Sequence, residues 1–97
     1  MSFEMLRNYT ERWRWTDKDG TVQRGFNPPK DARDVQREPI NIRYITSEGL
    51  VESGEAVCIK VDTKTLKRMI KFTRSGEIRW VWDPLVISVD EVRFITH

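Results

Sequence analysis

The chain is poor in the residues from which most catalytic and metal sites are built. Among 97 residues it has one cysteine, Cys58, and one histidine, His97. A lone cysteine forms no internal disulfide, which excludes a disulfide-stapled extracellular framework. The common zinc patterns need several Cys and His at ligand spacing, and they are excluded too. A Ser–His or Cys–His nucleophile would have to recruit His97, the last residue, and terminal residues are seldom held in place. Cys58 lies in the apolar run Ala56-Val57-Cys58-Ile59. A small, buried, unreactive thiol is expected there.

Other absences narrow the field further. No glycine spacing matches a phosphate-binding loop or a dinucleotide fingerprint. Asp17-Lys18-Asp19-Gly20 opens like a calcium loop, but the position that needs the closing Glu holds Pro28, so a turn is the better reading. None of the possible carboxylate pairs stands out. No apolar run approaches the roughly 20 residues of a membrane span, and Met1–Arg7 has no signal-like stretch. No repeat and no low-complexity tract is present. These absences predict a cytoplasmic protein that is not an enzyme and holds no cofactor or metal, with residues 1–97 forming a single domain.

What is present is charge and tryptophan. The 17 basic and 15 acidic residues nearly cancel. Four Trp, four Phe and two Tyr compensate for a modest 38% of hydrophobic residues. In a chain this short, those rings are expected to fill much of the core, including at least two of the four Trp.

The pattern along the chain is mostly that of strands. Phe3, Leu6, Tyr9 and Trp13 fall near helical spacing, with Ser2 as a candidate cap, which predicts a short N-terminal helix running into a strand. Trp13 and Trp15 then alternate with Arg12 and Arg14, and Asp19-Gly20 marks a hairpin. Residues 27–39 are polar and bounded by proline and read as a surface loop, with one helical turn at Asp31–Arg37 as a variant of that reading. Ile40–Thr46 alternates clearly. Turns follow around Gly49 and Gly54, then strands at Glu55–Val61 and Glu77–Trp82. Leu66–Arg74 fits a helix or a strand, and the strand is preferred because Ser75-Gly76 turns directly into the next one. Leu85–Val89 and Val92–Thr96 form a last hairpin about Asp90-Glu91. Glu is a poor residue for a two-residue turn, so a wider loop is expected there. Six or seven short strands predict a mainly β fold: a small antiparallel β-barrel or strongly bent sheet, SH3-like, with one short helix. An α+β sheet is the alternative.

Two features point to function. Residues 60–79 hold Lys60, Lys64, Lys67, Arg68, Lys71, Arg74 and Arg79 against Asp62 and Glu77, which leaves the rest of the chain net negative. As a strand, this stretch places Lys67 and Lys71 on one face and Arg68 and Arg74 on the other. Trp80 and Trp82 follow at once. Basic residues beside aromatic rings are what single-stranded nucleic-acid binding uses, since bases stack on rings and cations hold phosphates. These nine residues are the candidate nucleic-acid-binding surface. Glu48, Glu52 and Glu55 form an acidic counterpart. A chain with one basic and one acidic region also suits a protein–protein role, as an assembly subunit or homo-oligomer using a strand edge or the 27–39 loop.

Overall fold

The computed structural model describes residues 3–94. The Ser2 cap, the end of the last strand and His97 lie outside the described residues. Helix α1 (Phe3–Thr10) buries Leu6 and half-buries Tyr9. The Thr10 hydroxyl donates to the Leu6 carbonyl oxygen at 3.0 Å in its last turn. Nine strands follow: β1 (Trp13–Thr16), β2 (Val22–Gly25), β3 (Arg33–Arg37), β4 (Ile40–Ile45), β5 (Val51–Asp62), β6 (Lys67–Phe72), β7 (Ile78–Trp82), β8 (Val86–Val89) and β9 (Val92–Arg93), with one 3-10 turn at Asp83–Leu85.

The fold is mainly β, in two antiparallel sheets. One has the order β2-β1-β3, the other β7-β6-β5-β4-β8-β9. The larger ladder ends at β7 and β9. Its inner face carries the core: Ile40, Ile42 and Tyr44 from β4, Ala56 and Cys58 from β5, Ile70 and Val81 from β6 and β7, and Val86 and Val89 from β8, closed by Leu6 and Phe94. The period-two alternation of Ile40–Ile45 is therefore expressed as read, with Asn41 and Arg43 outward.

Hairpin chemistry fixes the registers. In the β1–β2 connection Asp17 pairs with Thr21 across a three-residue loop, with Gly20 at φ 81°. The Asp17 carboxylate accepts the Asp19 and Thr21 amides at 3.0 and 2.9 Å. The β4–β5 connection repeats this chemistry: Thr46 pairs with Leu50, Gly49 sits at φ 84°, and the Thr46 hydroxyl accepts the Leu50 amide at 3.1 Å. Both loops need a left-handed third residue, which glycine supplies without a Cβ penalty.

Four expectations are corrected. None of the four Trp belongs to the buried core. The aliphatic side chains of the larger sheet fill it, while Trp13 lies under the Arg37 guanidinium at 3.9 Å and Trp15 rests on Gly25. Part of the segment read as a loop, Arg33–Arg37, pairs with β1 as strand β3. Its polar residues conceal it because it is a surface edge strand, and a bulge with Asp34 at φ 52° breaks its alternation. Gly54 is not a turn residue. It lies within β5, where the Phe72 ring sits 3.1 Å from the place a Cβ would occupy. The last hairpin is not widened: Val89 pairs with Val92 directly, and Asp90 and Glu91 take φ 47° and 72°.

Candidate nucleic-acid interface

The β5–β6–β7 registers sort the basic stretch onto two faces, since residues directly opposite in a ladder share a side. Three cross-strand rows face outward: Val57–Lys71–Ile78, Lys60–Met69–Trp80 and Asp62–Lys67–Trp82. Lys60 reaches this face because a bulge at Ile59 shifts the register between Cys58 and Lys60. Trp80 and Trp82 are 46% and 49% exposed, with Ile78 beside them at 49%. The Lys67 ammonium lies 5.4 Å from the centre of the Trp82 ring. The only carboxylate in these rows is Asp62, which accepts the Lys64 and Thr65 amides at 3.0 and 3.3 Å within its own turn. The face is thus a cationic strip of Lys60, Lys67 and Lys71 behind an aromatic edge.

The structure separates the other candidates from this strip. Arg68 points inward and is 2% exposed. Its Nε donates to Asp83 at 3.0 Å, and its Nη1 donates to Glu11 at 2.7 Å and to the Thr10 hydroxyl at 2.8 Å. Burial works against its charge, but Glu11 and Asp83 more than restore it and hold the guanidinium above its ordinary pKa. Burial also pushes the Asp83 carboxyl up, against the pull of Arg68. Arg68 therefore ties the C-terminus of α1 to β6 and the 3-10 turn, and it is unavailable to a ligand. Arg79 also points inward, ion-paired with Glu77 and lying 4.0 Å from Glu52. Lys64 and Arg74 occupy the turns at opposite ends of β6.

Beside β7 runs a cleft of about 440 Å³ bounded by Trp80, Trp82, Leu85 and the turn at 46–50. On its inner wall the Tyr44 hydroxyl donates to Glu52 at 2.7 Å. Burial, then this bond, holds the Tyr44 pKa far above its ordinary value. Glu52 is thereby committed to Tyr44 and Arg79. Glu55 faces the other side of β5 and accepts from the Thr73 hydroxyl at 2.8 Å. The acidic cluster of the sequence is accordingly split between two faces.

Comparison with protein families, with curated proteins and with solved structures finds no match.

No group of three or more potential metal-binding side chains occurs among the described residues. No described helix is long and apolar enough to cross a membrane. Cys58 is buried and free, and burial pushes its thiol pKa up. Met69, Ile78 and Arg43 are among the outer-face residues that were not candidates. Arg43 stands in the row Ser53–Arg43–Ser88–Arg93 on the other half of the sheet. The alternation of Ile40–Ile45 already gave Arg43 its outward direction.

Proposed function

We propose that the chain is a non-catalytic binding module that takes single-stranded nucleic acid on the outer face of β5–β7. One observation carries the reading: Trp80 and Trp82 stand exposed on the same side of one strand, with Lys60, Lys67 and Lys71 on that side of the strands behind. Two residues of a strand are roughly 7 Å apart. That is about twice the ~3.4 Å rise per nucleotide along a duplex strand, so the two rings suit bases drawn apart in an extended single strand. The lysines then lie where phosphates would run. Arg68 and Arg79 have no part in the surface: Arg68 is buried in its ion pairs, and Arg79 lies on the opposite face of β7, paired with Glu77.

The strand order supports the finer architectural reading as well. Strands β4 to β7 form a meander, a 3-10 turn follows, and β8 returns to pair with β4. That succession is consistent with an SH3-like, incompletely closed barrel, a fold class whose members serve many unrelated functions.

The test is a titration of intrinsic Trp fluorescence with short single-stranded and duplex oligonucleotides at two salt concentrations. Stacking predicts quenching by single strands. Three phosphate contacts predict a log–log salt slope of about −2. Trp80→Ala and Trp82→Ala should each weaken binding by about 1–3 kcal/mol, and Lys67→Glu with Lys71→Glu should flatten the slope. No saturable response to any oligonucleotide at low salt would refute the proposal.

A further inference from the structure

Strand β7 is an edge of the larger sheet, and its backbone hydrogen bonds are half used. The Phe72 amide donates to the Glu77 carbonyl oxygen at 2.9 Å at one end of the β6–β7 ladder, and the Asp83 amide to that of Leu66 at 2.8 Å at the other. Hydrogen-bonded positions alternate along an antiparallel pair. Arg79 and Val81 therefore bond to β6, while Ile78, Trp80 and Trp82 direct their N–H and C=O groups away from it. Edges are usually blunted by proline, by lysine or by a covering loop. Here the three outward positions carry Ile, Trp and Trp. Among the described residues, these groups meet only the Arg79 guanidinium, which donates to the Ile78 carbonyl oxygen at 3.0 Å. The cleft between β7 and the 46–50 turn runs alongside this edge.

We propose that a second copy of this chain pairs with this edge, β7 against β7, antiparallel and centred on Trp80. The spacing of the free groups, and three positions that carry no charge, suit this occupant. Open positions at 78, 80 and 82 are symmetric about the middle one, and a two-fold interface requires such self-complementarity. The axis sets Trp80 opposite Trp80 of the second copy, and Ile78 opposite Trp82 of the second copy. All three pairs fall at hydrogen-bonded positions, where each exchanges both bonds. On the outer face the opposed side chains are all apolar or aromatic, the favourable kind of cross-strand pair. The nearest cations on that face, Lys67 and Lys71, stand one strand back on β6, so no like charges meet there. On the inner face Arg79 lies opposite Val81 of the second copy, and its side chain moves off the Ile78 carbonyl oxygen as the ladder forms. The product is one continuous sheet with both cationic strips on the same side and four Trp at its centre.

Light scattering across a concentration series, without nucleic acid, tests the dimer independently of any ligand. Association that rises with concentration is expected. Ile78→Lys keeps an exposed side chain and the β6 ladder, and it should weaken association at least about tenfold by placing a charge on the edge. Register is tested by oxidation. Trp80→Cys should cross-link to itself, because the axis brings those two positions within disulfide reach. Ile78→Cys should not cross-link to itself but should cross-link in a mixture with Trp82→Cys. The buried Cys58 does not compete. A monomer at every concentration overturns the proposal. So does a dimer that survives Ile78→Lys or gives the opposite cross-linking pattern.

Discussion

Arg68 is the residue on which the most depends. Its guanidinium is nearly sealed from solvent and satisfies Asp83, Glu11 and Thr10 together. A buried ion pair adds little net stability against apolar side chains of the same volume, but breaking one leaves a buried charge uncompensated. Arg68→Met should therefore lower the unfolding free energy by about 3–5 kcal/mol in urea denaturation. Adding Asp83→Leu to Arg68→Met should restore much of it. The pH dependence of the single variant has a definite sign. Burial raises the Asp83 pKa in the folded state, and loss of Arg68 raises it further. A carboxyl with a raised folded pKa favours the fold when protonated and opposes it as pH climbs through that value. The deficit of Arg68→Met should thus shrink as the solution is acidified through the carboxylate range. In the sequence Arg68 is indistinguishable from its lysine neighbours. Only the strand alternation, which sets it opposite Lys67 and Lys71, hinted that it does another job.

At the scale of the element, the turns explain both what could be read in advance and what could not. Asp17–Gly20 and Thr46–Gly49 carry glycine at the left-handed position, so the first hairpin was legible and the second was legible as a turn, though not the early start of β5 at Val51. The Asp90-Glu91 turn places two non-glycine residues at φ 47° and 72°, against local preference. It is held by tertiary contacts: the Asp90 carboxylate accepts the Asn41 amide at 2.8 Å, and the Asp90 amide donates to the Asn41 carbonyl oxygen at 2.9 Å. Such clamping overrides propensity and leaves no trace in the local sequence. The left-handed conformation costs a non-glycine residue roughly 1–2 kcal/mol. After allowing for the extra freedom of glycine in the unfolded chain, Glu91→Gly should stabilise the protein by about 0.5–1 kcal/mol, read as a shift in the denaturation midpoint with unchanged slope. Strand β3 was illegible for a related reason. Its residues are polar, it lies at the surface, and its pairing to Trp13–Thr16 rather than any pattern of its own makes it a strand.

At the scale of the whole molecule, both sheets hang on a joint between α1 and β1. Glu11 accepts Arg68 from the larger sheet through its carboxylate and Arg37 from the smaller one through its carbonyl oxygen, the latter at 2.6 Å. The candidate surface was only half legible because basic residues contiguous in the chain are split by the pleat, with three lysines outward and two arginines inward. The carboxylates of the molecule are split as well, and this sets its response to acid. Asp17 is held below its ordinary pKa, chiefly by the Gln23 side chain and then by the Thr21 amide. Asp62 is held below by the hydroxyl and amide of Thr65. A depressed folded pKa contributes stability above the unfolded value, and that contribution is lost as pH falls through the folded one. Asp83 has the opposite sign, so its protonation offsets part of the loss. Thermal unfolding followed from neutral pH down through about pH 4 and below should show falling stability with a shallow slope. Asp17→Asn keeps an acceptor oxygen for the turn amides but does not titrate. Its melting temperature should lie below that of the parent at neutral pH and converge on it in acid. A constant gap between the two curves would assign the Asp17 contribution to turn geometry rather than to its charge.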